Sequence, residues 1–346
     1  MTKRKRNPSI ISDPKVGIIF NLPTKPTIGE EIDYVSEAEI EEQLKDIKEA
    51  LNKLDLEYRS FSLKNEIGSL IKALKKYKPD VVINLCEAAF GKSYLEMNVP
   101  AMLELLKIPY TGAPPLSLAL CSNKGLAKDI LRARGIPTPK YQVLNSFKDW
   151  EGGIDYPLFV KPSQENASLG ISKESFVRNN SALEKRVNYI TRRYRQPALV
   201  EKYISGRELN VAILGNKRPK VLPISEIIFE FSKEPNIVDY SAKWLKNSEE
   251  YKKTVPVCPA KLSTSVKNKV ERIALQTYET LRCRDYARVD MRLKNGTPYV
   301  LEANPNPDIS ITAGFVRSLK AIGMSFESFV EEILYYALER SSKQFY

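Results

Sequence analysis

Residues 287 to 304 read ARVDMRLKNGTPYVLEAN, with Ala287-Arg288-Val289-Asp290 on one side of Asn295-Gly296 and Leu301-Glu302-Ala303-Asn304 on the other. Asn-Gly suits a tight hairpin turn because both residues tolerate positive φ. The stretch therefore predicts two antiparallel strands, Ala287 to Leu293 and Pro298 to Leu301. Residues two apart on a strand share a face, so Arg288 lies with Asp290 and Glu302 with Asn304, and the two pairs can converge. Two carboxylates and an amide oxygen make a hard oxygen set suited to Mg²⁺ carrying nucleotide phosphates. A cross-strand salt bridge among Arg288, Asp290 and Glu302 is the alternative that this stretch leaves open.

Outward from the hairpin, a helix is predicted over Thr264 to Leu281 before it and another near Phe326 to Leu338 after it. Upstream, Pro157 to Val160, Ala198 to Tyr203, Glu208 to Leu214 and Val221 to Ile228 read as strands, with one helix near Ala182 to Tyr194 among them. That region is α+β. The first third alternates differently. Val16 to Phe20, a helical run through Ile40, Leu44, Ile47 and Leu51, Tyr58 to Phe61, a helix around Leu70 to Tyr77, and Val81 to Leu85 follow in strand-helix order. This order favours a doubly wound parallel sheet, hence an α/β beginning. A helix Leu95 to Leu106 leads into the turn-rich Tyr110 to Pro115, and Ser122 to Ala133 reads as one helix closed by Gly135 and Pro137.

At 346 residues the chain exceeds one ordinary domain, and no polar stretch is long enough for a flexible linker, so two or three closely packed lobes are expected. No apolar run approaches the roughly 20 residues that span a bilayer. The basic start lacks the apolar core of a secretory signal and reads as a frayed tail. Four dispersed cysteines suggest neither a zinc site nor a disulfide framework, which fits a reducing cytoplasm. The net charge of +12 is spread among Glu-rich helices and carries no nucleic-acid motif; polyphosphate substrates account for part of it. Histidine is absent, so Ser-His-Asp hydrolysis, His-ligated metals and His acid-base catalysis are excluded together.

Phe159-Val160-Lys161-Pro162 sets a lysine at a strand end, and Ser163 to Ser172 can lie over phosphates through backbone N–H groups. Val200-Glu201-Lys202-Tyr203-Ile204 can read an adenine edge, and Glu208 can hold ribose hydroxyls. With Asn123-Lys124, Gly135-Ile136-Pro137-Thr138-Pro139, Ser168-Leu169-Gly170-Ile171-Ser172, Asp239-Tyr240-Ser241-Ala242-Lys243 and the two hairpin motifs, the succession resembles the D-alanine-D-alanine ligase branch of the ATP-grasp superfamily. Each motif is weak, but their order holds from about Asp80 to the C-terminus.

That resemblance implies a three-lobed ATP-grasp fold: a basic tail 1–14, an N-terminal domain 15–117, a central subdomain 118–204 with a phosphate lid, and a C-terminal subdomain 205–346 with a metal site. It implies that Lys124, Lys161 and Lys243 contact ATP phosphates, that Glu201 and the backbone of Lys202, Tyr203 and Ile204 hold adenine, and that Glu208 holds ribose. Asp290, Glu302 and Asn304 bind two Mg²⁺, with Mn²⁺ as an alternative. A carboxylate is phosphorylated to an acyl phosphate, which an amine attacks. Arg288 beside the metals stabilises the oxyanion, helped by the N–H of Asp308, and the loop carrying Ser168 is the lid. A homodimer is compatible with the family; nucleic-acid or membrane partners are not expected.

The chain departs from the family where substrate binds. Cys86-Glu87-Ala88-Ala89-Phe90-Gly91-Lys92 replaces a His-Gly turn and an acidic Gly-Glu-Asp-Gly run. Ala167-Ser168 replaces two serines, Trp244 replaces a tyrosine, and Ala313-Gly314 stands where a serine pair holds the second substrate's carboxylate. Arg317, one helical turn beyond Ala313, is a candidate charged substitute; an Arg317 that points to solvent, with backbone N–H groups holding the carboxylate, is the alternative left open. These departures predict substrates other than two molecules of D-alanine, with a true D-alanine-D-alanine ligase as the first alternative. A nucleotide-binding regulator without catalysis is the alternative of another class; it would be expected to have lost Arg288 or a metal ligand.

Overall fold

The computed structural model describes residues 13–22, 39–64, 66–231, 234–245 and 247–341, with the backbone alone of Glu39 and Trp244. Of the basic tail only Asp13 and Pro14 are among them, and the Trp244 side chain lies outside them.

Strand β1 (Val16–Asn21) has β2 (Tyr58–Leu63) on one side and β3 (Val81–Asn84) on the other, both parallel to it. A parallel sheet must be covered on both faces, and β1 and β3 are accordingly buried almost throughout, whereas the edge strand β2 alternates. On one face Ile19, Phe61 and Val82 meet Leu70 and Leu74 of α2 (Ile67–Tyr77) and Leu103 of α3 (Asn98–Leu105). The opposite face is covered by α1 (Glu39–Lys53) and by α11 (Phe326–Ser341), the last helix of the described chain. Phe329, Ile333 and Ala337 of α11 pack with Ile18, Ile47, Leu51 and Ile83 in one core. Each such buried large side chain contributes about 1.5–3 kcal/mol, so the C-terminal helix is part of the N-terminal layer and not an appendage.

Between α3 and the second sheet the helix predicted over Ser122 to Ala133 is present from Lys124, and a further helix that was not predicted stands before it. Pro115 starts α4 (Pro115–Ser122) at a position where its missing N–H costs nothing, and α5 (Lys124–Ala133) follows. Asn123 breaks them apart. Its backbone is extended and its side chain accepts from Leu126 N at 3.1 Å, capping α5. The segment predicted as a helix from Leu95 likewise opens with a 3₁₀ turn, Ser93–Leu95, before α3.

The second sheet is antiparallel, in the order β4 (Tyr141–Leu144), β7 (Ala198–Lys202), β5 (Leu158–Pro162), β6 (Phe176–Val177). Its outer face packs under α6 (Asn180–Arg193) through Leu183, Val187 and Ile190. The third sheet runs β11 (Thr254–Val257), β10 (Ser225–Phe229), β8 (Arg207–Leu214), β12 (Tyr286–Lys294), β13 (Thr297–Asn304), with β9 (Lys220–Val221) beside β8 and the short helix α8 (Glu249–Lys252) just before β11. The predicted strand Val221 to Ile228 is thus two pieces, β9 and β10. Val270, Ile273 and Ala274 of α9 (Thr264–Thr280) pack with Leu209, Val211, Val289 and Met291 on one face of this sheet. The alternate residues of the same strands point the other way, into a cleft shared with the second sheet.

Candidate active site

The floor of the cleft comes from β8, β12 and β13. Asp290 lies level with Asn210 on one neighbour and Glu302 on the other, and Arg288 is level with Asn304. A bulge makes this register. From the turn outward the pairs run Lys294 with Thr297 to Met291 with Val300, and then Asp290 meets Glu302, leaving Leu301 as the extra residue. Val300 faces the core while Leu301 and Glu302 both line the cleft, because the bulge reverses the alternation.

Asp290 is held by four donors. Arg288 binds it through Nε and Nη2 at 2.8 and 2.9 Å, Asn210 Nδ2 reaches Oδ1 at 2.7 Å, and Asn304 Nδ2 reaches Oδ2 at 3.0 Å. Glu302 is looser, its Oε2 lying 3.8 Å from Lys124 Nζ and 3.7 Å from Lys161 Nζ. Burial opposes its ionisation, but Lys124, Lys161 and Arg288 together hold its carboxyl down to about 2. Further along the floor Glu208 Oε2 meets Arg292 Nη2 at 2.7 Å; burial nevertheless pushes the Glu208 carboxyl above its ordinary value.

The roof comes from β5, β7 and α5. Glu201 is 2 % exposed and sits between two lysines, 3.1 Å from Lys161 Nζ and 2.8 Å from Lys128 Nζ. Although burial resists, these lysines keep its carboxyl below the usual range. Lys128 also donates to Thr138 Oγ1 at 2.8 Å. Lys124 is buried and donates to Glu165 O and to Asn166 Oδ1 of the loop 163–172.

At the connector, Lys202 spends its ammonium on the carbonyls of Asp155 and Tyr156 at 2.8 and 2.9 Å, so only its backbone and stem are left to face the cavity. Tyr203 packs edge-on to Phe176, and Ile204 is buried beside it.

The loop 163–172 descends onto the segment before α7 (Tyr240–Trp244): Ser168 Oγ donates to Val238 O at 3.2 Å and Tyr240 N to Ile171 O at 3.3 Å. Lys243 projects from α7 into the cavity, below which Asp239 caps the helix through Ala242 N at 2.8 Å.

The cleft measures about 670 Å³. Of the residues singled out from sequence, Arg288, Lys243, Ser168, Lys161, Glu201, Lys202, Tyr203, Ile204, Glu208, Asp290, Glu302, Asn304, Asp308, Ala313, Gly314 and Arg317 all line it, and Lys124 does not. At the N-terminal wall stands Glu87, whose Oε1 accepts from Gln43 Nε2 at 2.9 Å; burial and then Asp308 raise its carboxyl above the ordinary value. Asp308 Oδ1 accepts from Ser310 N at 2.7 Å, bracing the loop before α10 (Gly314–Lys320).

Lys128, Asn210 and Arg292 were not singled out, though the signal was present. Lys128 is one helical turn from Lys124, and Asn210 and Arg292 lie two residues from Glu208 and Asp290 on their strands.

The arrangement sets ammonium groups above ionised carboxylates, which is suited to a polyanion that brings a metal with it. Among the described residues no cluster of three or more Asp, Glu, Cys or His side chains forms a self-sufficient metal cage. Two carboxylates and the Asn304 amide oxygen fit magnesium, which keeps part of its coordination for phosphates and water.

Residues 130–335 match the family model described as the D-ala D-ala ligase C-terminus. The chain is 35% identical over 275 residues to an uncharacterized Sinorhizobium fredii protein, y4sG, covering 77% of this chain and 79% of that protein. It is 32% identical over 286 residues to the D-alanine–D-alanine ligase of Carboxydothermus hydrogenoformans, covering 80% and 86% respectively. Among solved structures, the Bacillus anthracis D-alanine–D-alanine ligase complexed with ATP aligns with a TM-score of 0.76 at 25% identity, over 96% of this chain and 99% of that one.

Proposed function

The chain belongs to the D-alanine–D-alanine ligase family of ATP-grasp, carbon-nitrogen bond-forming enzymes, and from that premise we propose that it joins a carboxylate to an amine other than two molecules of D-alanine. The observation that carries this reading is the Glu302 carboxylate, held ionised beneath Lys124 and Lys161 and level with Asp290 across the hairpin. Phosphoryl transfer asks for neutralised charge and fixed placement more than for covalent participation, and this is what those groups supply.

In this reading ATP lies between the second and third sheets. Lys161 and Lys243 meet its phosphates while Lys124 anchors the lid loop over them. The backbone of Lys202, Tyr203 and Ile204 borders the adenine, and Glu208 the ribose. Glu201 keeps Lys161 charged and aimed. Asp290, Glu302 and Asn304 hold two Mg²⁺, or Mn²⁺ in its place. When bound, the metal neutralises phosphate oxygens.

The substrate carboxylate takes the γ-phosphoryl group, giving an acyl phosphate and ADP. The amine nitrogen then bonds to the acyl carbon, the carbon-oxygen bond to phosphate breaks, and phosphate leaves as the amine loses a proton. Arg288 donates to the oxygen that becomes negative during that attack, with the N–H of Asp308 beside it. Ser168 and its loop exclude water from the acyl phosphate. In this closure lobe 118–204, with its second sheet and loop 163–172, is the unit that moves, against lobes 15–117 and 205 onward, which share one core through α11. The four cysteines are free, in keeping with a reducing cytoplasm.

Substrates other than D-alanine follow from Glu87 and from Ala313-Gly314 at the walls where substrate residues of the family differ. The test is ATP-dependent phosphate release by the purified protein across a panel of acids and amines with Mg²⁺. Release that requires both an acid and an amine supports the ligase; ATP binding without release under every pairing sinks it. Robust D-alanyl-D-alanine synthesis at low millimolar D-alanine refutes the substrate reading.

A further inference from the structure

Arg292 stands at the end of the cleft bordered by Tyr203 and Ile204, two residues past Asp290 on β12 and directly across from Glu208 of β8. It is 4 % exposed, and its guanidinium is spent on three separate segments of chain. Nη2 meets Glu208 Oε2 at 2.7 Å and donates to Asn236 O, while Nη1 donates to Gly206 O at 3.0 Å. The rings of Tyr203 and Phe229 lie 5.7 and 5.4 Å from its central carbon. Gly206 lies between Ile204 and Glu208, and Asn236 precedes Ile237 and Val238, so one side chain ties together the walls that line this end.

Withdrawing a guanidinium this far from water is unfavourable unless fixed acceptors meet its donors, and here they do. The metal set does not need it, since Asp290 is held by Arg288, Asn210 and Asn304. What Arg292 governs is Glu208. Burial works against ionisation of that carboxyl, and Arg292 is the foremost charge that works for it. The ion pair fixes Oε2 and cancels the charge, so it has little pull on a cation or on a phosphate. Acceptor capacity remains, because among the described residues no donor meets Oε1. A neutral pair with free acceptor lone pairs is matched by neutral hydroxyl donors. Glu208 is also two residues along β8 from Asn210, about 7 Å from the level of Asp290, which places those hydroxyls beyond the metal-bound phosphates.

We propose that Arg292 is the positioning residue for the nucleotide's sugar: it holds the Glu208 carboxylate aimed at the ribose diol and thereby sets a preference for ATP over its 2′-deoxy and 3′-deoxy forms. The inference rests on the reading that ATP lies between the second and third sheets with its ribose at Glu208. Arg292 acts through Glu208 and through the carbonyls of Gly206 and Asn236, which keep the connector and the segment 236–238 at a fixed separation. Without it, Glu208 is a buried carboxyl with no partner and turns away or takes a proton, and either change removes the oriented acceptor.

The experiment measures equilibrium binding of ATP, 2′-deoxyATP and 3′-deoxyATP, each with Mg²⁺, to the full chain, and needs neither the acid nor the amine. We expect wild type to bind ATP about 10- to 100-fold more tightly than either deoxy form, the range for losing a hydrogen bond to a charged group. R292M should bind the three nucleotides with nearly equal Kd, its loss falling on ATP. E208Q should show the same levelling, and R292M with E208Q together should level no further than either alone, as expected for two residues acting as one unit. R292K should recover part of the preference. Should R292M not fold, R292Q carries the same comparison. A variant that keeps the wild-type ratio overturns the proposal, whether ATP affinity is untouched or all three nucleotides weaken equally, since the second result is what a merely structural role gives. A wild type that binds the three alike overturns it as well. A wild type that binds none of them is the separate failure of the ATP reading.

Discussion

Arg288 and Asp290, two residues apart on one strand, are locked side chain to side chain by parallel hydrogen bonds of 2.8 and 2.9 Å. Asn210 and Asn304 complete the shell around the same carboxylate. Asp290 is therefore oriented before any ligand arrives, and the charge of Arg288 is fixed beside it.

From this pair we expect Arg288→Ala to slow attack by the amine more than formation of the acyl phosphate. Loss of one oxyanion donor costs about 10² to 10³ in rate. Rapid-quench separation of the two steps decides it. A defect lying wholly in phosphoryl transfer would assign Arg288 to the nucleotide instead.

Glu302→Gln removes one charge and little packing, so turnover should vanish while the fold and most of the affinity for adenine nucleotide remain. Near-normal ligation by this variant would dismiss the metal assignment. A second readout is stability against pH. Because the folded-state value of Glu302 is depressed to about 2, its stabilising share is fully present above the unfolded carboxylate value of 4.5 and is lost as pH falls towards that lower value. Urea midpoints should thus decline less steeply for E302Q than for wild type across that acid window.

Lys128 is an ordinary surface residue type in an extraordinary place, 2 % exposed and shared between Glu201 and Thr138. Lys128→Met keeps its volume and removes its charge. The expected loss is roughly 1.5–3 kcal/mol, the range for a hydrogen bond to a charged group, with Lys161 still pairing Glu201. Chemical denaturation measures it, and a neutral or positive change would show that the pair is no better than apolar packing there.

Gly170 sits in the loop 163–172 with φ of +69°, and a Cβ there would come within 2.7 Å of Pro162 Cγ and 3.0 Å of the Tyr194 ring. Gly170→Ala should therefore displace the loop that bears Ser168. We expect faster proteolysis within 163–172, a higher KM for ATP and hydrolysis of the acyl phosphate without amine. Wild-type protection and coupling in G170A would remove the loop from the role of a lid.

Much of this was legible in the chain. Apolar runs at Val16 and Val81 with helical spacing between them dictated a parallel layer, since strands buried on both faces have no polar side to alternate. Asn295-Gly296 placed the hairpin, and alternation placed Arg288 with Asp290. Elsewhere local signals misled. The helix predicted over Ser122 to Ala133 is present from Lys124, but Pro115 to Ser122 was passed over because its prolines and the glycine before them read as a turn, and Asn123, which competes with the backbone for hydrogen bonds, separates the two helices.

What the chain by itself determined is the inventory: which strands and helices form, which residue types share a face, and that no histidine takes part. The tertiary structure decided the meeting points, and Glu302 shows why. In the register that the two-residue turn begins, Glu302 would lie opposite Val289 and face the apolar core. The extra residue at Leu301 advances the pairing by one, sets Glu302 level with Asp290 and turns it into the cleft beneath Lys124 and Lys161. A bulge is a choice between two nearly equal local pairings, and only the rest of the fold can make it, because burying an unpaired carboxylate under α9 is costlier than one irregular ladder step.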